Sequence, residues 1–298
     1  MSLRSFNLEA SVLDEHVIEV LGKTRVVISH GSIVDIGEPK IRYCPLAEKF
    51  PKSVKKICKE SVFEHVKWCI ENYGLCTANR VLEADESFVE FGASETLYTC
   101  LKREFLDCCI IVGDCVGTVI TKNAKVVQGL GGKLSGVIET TPISAVIEKL
   151  KALDSRPYRD GEINQFKGFE KAVNLGFKSI GVTVTSADDA MKIRRLAKRD
   201  HVTSLIIGVH LTGISRNETL QLLENSDVVT GCASKYVRNM AAENCMLQVG
   251  TSMPVYALTR IGREALLERA KDVRRELSIK IGVEKTHQLS VKTPCPLV

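Results

Sequence analysis

The sequence has no apolar run able to cross a bilayer. Spanning needs about 18 such residues, and the longest candidate, 108–112, is flanked by Asp107 and Asp114. A signal-peptide core is missing too, because Arg4, Glu9, Asp14 and Glu15 interrupt the first segment. A cytoplasmic chain with no membrane partner is therefore expected. An excess of one charge is nearly absent: 41 Lys+Arg stand against 36 Asp+Glu, a formal net charge of +5. The basic residues are scattered, so no nucleic-acid partner is expected. No CxxC occurs, which argues against zinc ribbons, thioredoxin-like sites and ferredoxins built on local cysteine pairs. GxSxG, HExxH and the P-loop order are missing, as are internal repeats and low-complexity tracts.

What is present describes an ordinary globular protein. The chain has 298 residues, 44% hydrophobic and 26% charged, enough to bury about three quarters of its unfolded surface without disulfides or metals. It carries eleven cysteines, an odd number that cannot pair fully. Six of them, Cys58, Cys69, Cys100, Cys108, Cys109 and Cys245, lie in apolar helix-like or strand-like surroundings, where a thiol fills space as a small hydrophobe.

Three short β-branched runs over 17–36 predict a β-meander. Apolar positions at helical spacing predict a helix over 53–73 with Gly74 as its stop. A helix over 94–105, with Ser94 as N-cap, leads into strands at 108–112 and 118–121, and Thr141-Pro142 opens a helix to about 153. Beyond 161 the order is helix 163–175, strand 179–184, helix 187–199, strand 204–209, helix 216–224, strand 227–230, helix 235–242, strand 246–249 and a last helix over 260–277. The tail after Gly282 is expected to be loosely held. Such alternation demands helical crossovers between parallel strands. The fold expected is α/β: an N-terminal meander plus α/β region, then a layered, mostly parallel sheet with helices on both faces. The charged stretch 154–161, with Pro157 and Gly161, sets the expected domain boundary: 1–155 with the meander and a glycine-rich loop, and 156–298 doubly wound.

Open α/β sheets bind ligands beyond the carboxyl ends of their strands. Thr185, Ser186, His210, Thr212, Cys232, Ser234, Thr251 and Ser252 all follow predicted strands, and a rim of hydroxyls and helix amides suits a small anion as well as simple capping. Gly129, Gly131, Gly132, Lys133 and Ser135 crowd one segment that either wraps an anion or forms a tight connection. Cys232 and His210 can act as thiol and imidazole if their strands are neighbours. Asp114, just after an apolar strand, suits a catalytic carboxylate or a turn. Cys44, Cys76 and Cys232 lie in irregular backbone near glycine or proline, where thiolates bind soft metals or iron–sulfur clusters, react, or serve structure.

Several segments together resemble the methanogenesis marker protein 8 family: Tyr43-Cys44-Pro45-Leu46, Gly74-Leu75-Cys76-Thr77, Gln128-Gly129-Leu130-Gly131-Gly132, Val209-His210-Leu211-Thr212-Gly213 and Cys232-Ala233-Ser234-Lys235-Tyr236. The resemblance spans about 17–269. It implies an archaeal protein with an accessory role in methane metabolism, in maturation of methyl-coenzyme M reductase or its nickel cofactor, and other maturation proteins as partners. The family's motifs carry Cys44, Cys76 and Cys232, three thiolates that would leave one iron of a four-iron cluster open. Three functions are therefore expected to compete: an accessory protein holding a metal or iron–sulfur centre on those thiols, a cysteine-dependent enzyme acting on a small anionic metabolite, and a non-catalytic assembly partner.

Overall fold

The computed structural model describes residues 14–277 and 292–298; the expectation for the tail after Gly282 lies largely outside them. The meander forms as β1 (Glu15–Val20), β2 (Thr24–Ser29) and β3 (Ser32–Ile36). Gly22 and Gly31, at φ 72° and 69°, turn the two hairpins, conformations that L side chains rarely adopt. Helix α1 (Lys59–Tyr73) starts later than its apolar pattern suggests, at an N-cap Cys58 whose capping box with Ser61 holds the first turn, and it stops at the left-handed Gly74. Helix α2 (Ala93–Lys102) has Gly92 as its N-cap, two residues ahead of the expected Ser94.

The hairpin β4 (Cys108–Gly113) and β5 (Gly117–Thr121) leads to α3 (Ala124–Gly131), β6 (Gly136–Thr140), α4 (Ser144–Ala152) and β7 (Ser155–Pro157). Then come α5 (Gln165–Asn174), β8 (Ser179–Val184), α6 (Ala187–Arg199), β9 (Thr203–Gly208), α7 (Arg216–Asn225), β10 (Val228–Thr230), α8 (Lys235–Asn244), β11 (Leu247–Val249), β12 (Val255–Ala257) and α9 (Arg260–Ala270). Helices α6, α7 and α8 begin on Ser186, Ser215 and Ser234, each accepting from an amide of its first turn, a contact that stabilises a helix by about 1 kcal/mol.

Two sheets result. The smaller has the order β3-β2-β1-β6, and the larger β11-β12-β10-β9-β8-β4-β5-β7. Strands β10, β9, β8 and β4 run parallel, flanked by antiparallel strands on both sides. Strand alternation assigns the two faces. Cys109, Ile111, Leu205, Ile207 and Val228 face a core closed by α2, α3, α4 and α9, while Cys108, Ile110, Ile206 and Val229 face one closed by α5 to α8. Helices therefore cover both faces, as the wholly apolar strands require. A third core packs α1 on the meander through Ile18, Val26, Ile28, Val62 and Val66.

Three expectations need correction. The division near 155 falls inside β7, and the large sheet runs across it, because β4 of the first half pairs in parallel with β8 of the second. The strand at 246–249 is not parallel: the chain reverses after it through Gly250, at φ 74°, and β12 inserts between β10 and β11. A three-residue run such as Val-Tyr-Ala carries no periodicity to announce it. Finally, Gly129 and Gly131 are not a loop but lie within α3. Their missing side chains admit neighbours: a Cβ at Gly129 would sit 2.1 Å from the Leu82 carbonyl oxygen, and one at Gly131 2.7 Å from Ser94 Oγ. At Gly132, the C-cap of α3, a Cβ would meet the Gln128 carbonyl oxygen at 2.6 Å.

Candidate active site at the strand ends

A cleft of about 1190 Å³ lies over the carboxyl ends of the parallel strands, between the two sheets. Thr183 and Thr185 reach it from the end of β8, His210 and Thr212 from beyond β9, and Thr230 and Cys232 from β10. Thr251 and Ser252 add hydroxyls from the β11–β12 connection, and Lys133 and Ser135 enter from the connection between α3 and β6.

Strands β9 and β10 are neighbours, so His210 and Cys232 face one cleft from adjacent strand ends. Both are held in left-handed backbone, at φ 59° and 42°. Such a conformation costs a non-glycine residue on the order of 1 kcal/mol or more, and it collects at sites where side-chain direction matters. The imidazole is not on the thiol. His210 Nε2 meets Glu19 Oε2 at 2.6 Å, joining the large sheet to β1 of the small one. Lys23 Nζ donates to the Thr212 carbonyl at 3.4 Å across the same seam. Burial pulls the Glu19 carboxyl upward, but the His210 hydrogen bond and the charges of His210, Lys23 and Lys40 outweigh it and hold the group below its ordinary value. When the ring is neutral, an ionised Glu19 accepts from Nε2–H and so leaves the lone pair on Nδ1, the tautomer a general base needs. The ring rests against Gly136, where a Cβ would press on it at 3.2 Å.

Cys232 Sγ lies 3.2 Å from Thr230 Oγ1. Arg238, one turn into α8, donates from Nε to the Cys232 carbonyl at 2.8 Å and from Nη2 to the Ser252 carbonyl at 2.9 Å, fixing the loop that carries the thiol. The end of the chain lies along this wall: Val298 donates to the Ala233 carbonyl, and Cys295 bridges to Tyr43.

The three thiols expected to share a metal do not converge. Cys44 lines the cleft near Cys232: burial raises its pKa, amides of Leu46 and Ala47 oppose that, and a charge on Cys232 would raise it further. Cys76 is walled off elsewhere. It is fully buried, in left-handed backbone, with its amide donating to Asp114 Oδ2 at 2.7 Å, and burial pushes its thiol well upward. Among the described residues no three His, Cys, Asp or Glu side chains are grouped so as to hold a metal ion. The reason is topological: the 74–80 turn that carries Cys76 is fastened beneath the β4–β5 turn, while Cys44 and Cys232 belong to the cleft wall.

Asp114 is likewise inside rather than at the site. It and Arg80 form an ion pair at 2.9 Å with both side chains 0% exposed, and the guanidinium also donates to the carbonyls of Val81 and Gly129. This pair ties the 74–80 turn to the β4–β5 turn and α3. Of the residues singled out from sequence, the cleft therefore unites His210, Cys232, Cys44, Gly131, Gly132, Lys133 and Ser135 with the hydroxyls of Thr185, Thr212, Thr251 and Ser252, and leaves out Cys76, Asp114, Gly129, Ser186 and Ser234. Glu19 and Arg238 gave little warning. Glu19 shows only as a charge inside the apolar run Val-Ile-Glu-Val-Leu, and Arg238 as one cation on an amphipathic helix.

Among the described residues no helix is long and apolar enough to cross a membrane. No solved structure matches the chain. An uncharacterized protein of Methanocaldococcus jannaschii is 44% identical over 288 residues, covering 96% of this chain and all of that protein. A family model described as an uncharacterized protein conserved in archaea matches residues 16–271, a span containing Glu19, Cys44, Lys133, His210 and Cys232. The chain belongs to this archaeal family.

Proposed function

We propose that the strand-end cleft is the active site of a cysteine-dependent enzyme acting on a small anionic metabolite, phosphorylated or carboxylated. The observation that carries this reading is the pairing of His210 with Glu19 on the same cleft wall as Cys232, with both strand-end residues held in left-handed backbone. Cys232 is the nucleophile, and His210, oriented by Glu19, takes its proton through Nδ1. The threonine and serine hydroxyls from the strand ends, with the glycine amide at 250, solvate the anion. A soft metal or iron–sulfur centre retains only Cys44 and Cys232 of its expected donors, which do not make up the donor set such a group requires. The resemblance to the methanogenesis marker 8 family, and a relative from a methanogen, support an accessory role in methane metabolism, in maturation of methyl-coenzyme M reductase or its nickel cofactor.

Iodoacetamide alkylation of individual cysteines, followed by peptide mass spectrometry across pH, tests the chemistry. Cys232 is expected to react at least about tenfold faster near neutral pH than the exposed Cys295, and to lose that advantage in His210→Gln. Equal rates for the two thiols would reject the reading.

A further inference from the structure

Helix α1 contributes a wall of the cleft that the chemistry above does not use. His65, Trp68, Cys69 and Tyr73 line it, with Phe50 and Phe88 beside them. The Trp68 and Tyr73 rings meet edge to face at 5.1 Å, and Phe50 stacks on His65 at 5.5 Å. Lys133 points its ammonium between two of these rings, 3.6 Å from the Phe88 centroid and 4.2 Å from that of Tyr73. It makes no ion pair and no hydrogen bond among the described residues.

A lysine that has given up water normally gains a carboxylate in return, since a desolvated charge is costly without a partner. Lys133 has ring faces only, attractive but weaker than an acid. Burial pulls its pKa down, against weak upward pulls from Glu86, Cys69 and Glu95. A second group is also underused. His65 is 7% exposed, its Nε2 has only a weak contact with Cys69 Sγ at 3.7 Å, and its Nδ1 has no hydrogen-bond partner among the described residues. Burial holds this imidazole neutral, at about 4, over a smaller upward pull from the Lys52 backbone. A cation short of an anion, a neutral ring nitrogen short of a partner and half-buried aromatic rings thus share one wall.

We infer that this wall is a binding subsite for a flat aromatic or heteroaromatic ring bearing an acidic substituent, the acid pairing with Lys133 Nζ and the ring packing on Trp68, Tyr73 and Phe88. The inference rests on the strand-end cleft being a small-molecule site and narrows its ligand from any small anion to an aryl acid.

Trp68 is the single tryptophan of the chain, so its indole N–H gives one cross-peak in a ¹⁵N spectrum and reports on this wall alone. The probes are 2-naphthoate, its neutral isostere 2-naphthamide, and inorganic phosphate. The naphthoate is expected to shift the Trp68 peak saturably at millimolar concentration. The amide should bind about tenfold more weakly, the factor one charge-assisted hydrogen bond supplies, and phosphate should leave the peak in place. Lys133→Gln should bring the naphthoate down to the amide's affinity, and Lys133→Arg should preserve the preference and show that the site still folds. Equal binding of acid and amide, no shift with the acid, or an unchanged preference in Lys133→Gln would overturn the inference. Cys232→Ser should leave all these values unaltered. A chain that binds naphthoate while Cys232 proves unreactive keeps the subsite and loses the enzymatic reading; a reactive Cys232 without naphthoate binding does the reverse.

Discussion

Replacing Asp114 by Asn separates a structural carboxylate from a catalytic one. The substitution preserves shape and removes one charge from an ion pair whose side chains are both fully buried. The Arg80 guanidinium then stays buried with no opposite charge beside it, held by the Val81 and Gly129 carbonyls and the one amide oxygen left at position 114. Removing one member of such a pair costs about 3–5 kcal/mol. With roughly 2 °C lost per kcal/mol in a chain of this size, the melting temperature should fall by about 6–10 °C. Circular dichroism melts at pH 7 measure this. Arg80→Met alone should cost a similar amount, and the double variant should cost at least about 2 kcal/mol less than the sum, because neither charge is then left alone. Cys232 alkylation, read well below the melting range, should match the parent protein. A fall of under about 1 kcal/mol together with slowed Cys232 chemistry would refute the argument and return Asp114 to the catalytic apparatus.

Other outcomes are as definite. Between pH 6.5, where His65 titrates in the unfolded chain, and about 4, where it titrates in the folded one, the unfolded state binds more protons. Stability contributed by the neutral imidazole therefore falls as pH drops through that window, by about 3 kcal/mol in all; denaturant titrations of His65→Phe should show a correspondingly shallower acid slope than the parent. In native protein, alkylation should reach Cys44, Cys58, Cys232, Cys245 and Cys295 and spare the six buried thiols until denaturant is added. Burial, with smaller contributions from nearby charges, raises Cys69, Cys100 and Cys108 to about 12, so mass spectrometry finding early modification at any of those three would contradict the packing. Gly136→Val should push the His210 ring off Glu19, given the 3.2 Å approach, and lower the Cys232 alkylation rate several-fold while the melting temperature moves by only a few degrees.

The thiols show how local and tertiary information divide. Cys69, Cys100, Cys108 and Cys109 sit on apolar stripes and are core, as their neighbours in sequence imply. Cys58 proves to be a helix N-cap and Cys245 is half-buried, since both fall at helix ends where an apolar pattern stops being a guide. Cys76 looked like a loop thiol, yet it and Cys115 are both buried in left-handed turns stacked against the Arg80–Asp114 pair. An irregular backbone can be as deeply covered as a strand when a buried charge pair fastens it down.

Chain-local physics was sufficient for the meander, for most helices and strands, and for setting hydroxyl, imidazole and thiol side chains just beyond β8, β9 and β10, where the cleft lies. Periodicity, caps and glycine stops act over a few residues, so they can be read from neighbours. Only the assembled structure decided that β4 joins β8 across the expected boundary, that Glu19 reaches His210 from a different sheet, and that Cys76 and Cys44 part company. Those outcomes depend on pairings between residues from 34 to 191 positions apart, which no local pattern encodes because their energies exist only once the sheets and helices are packed together.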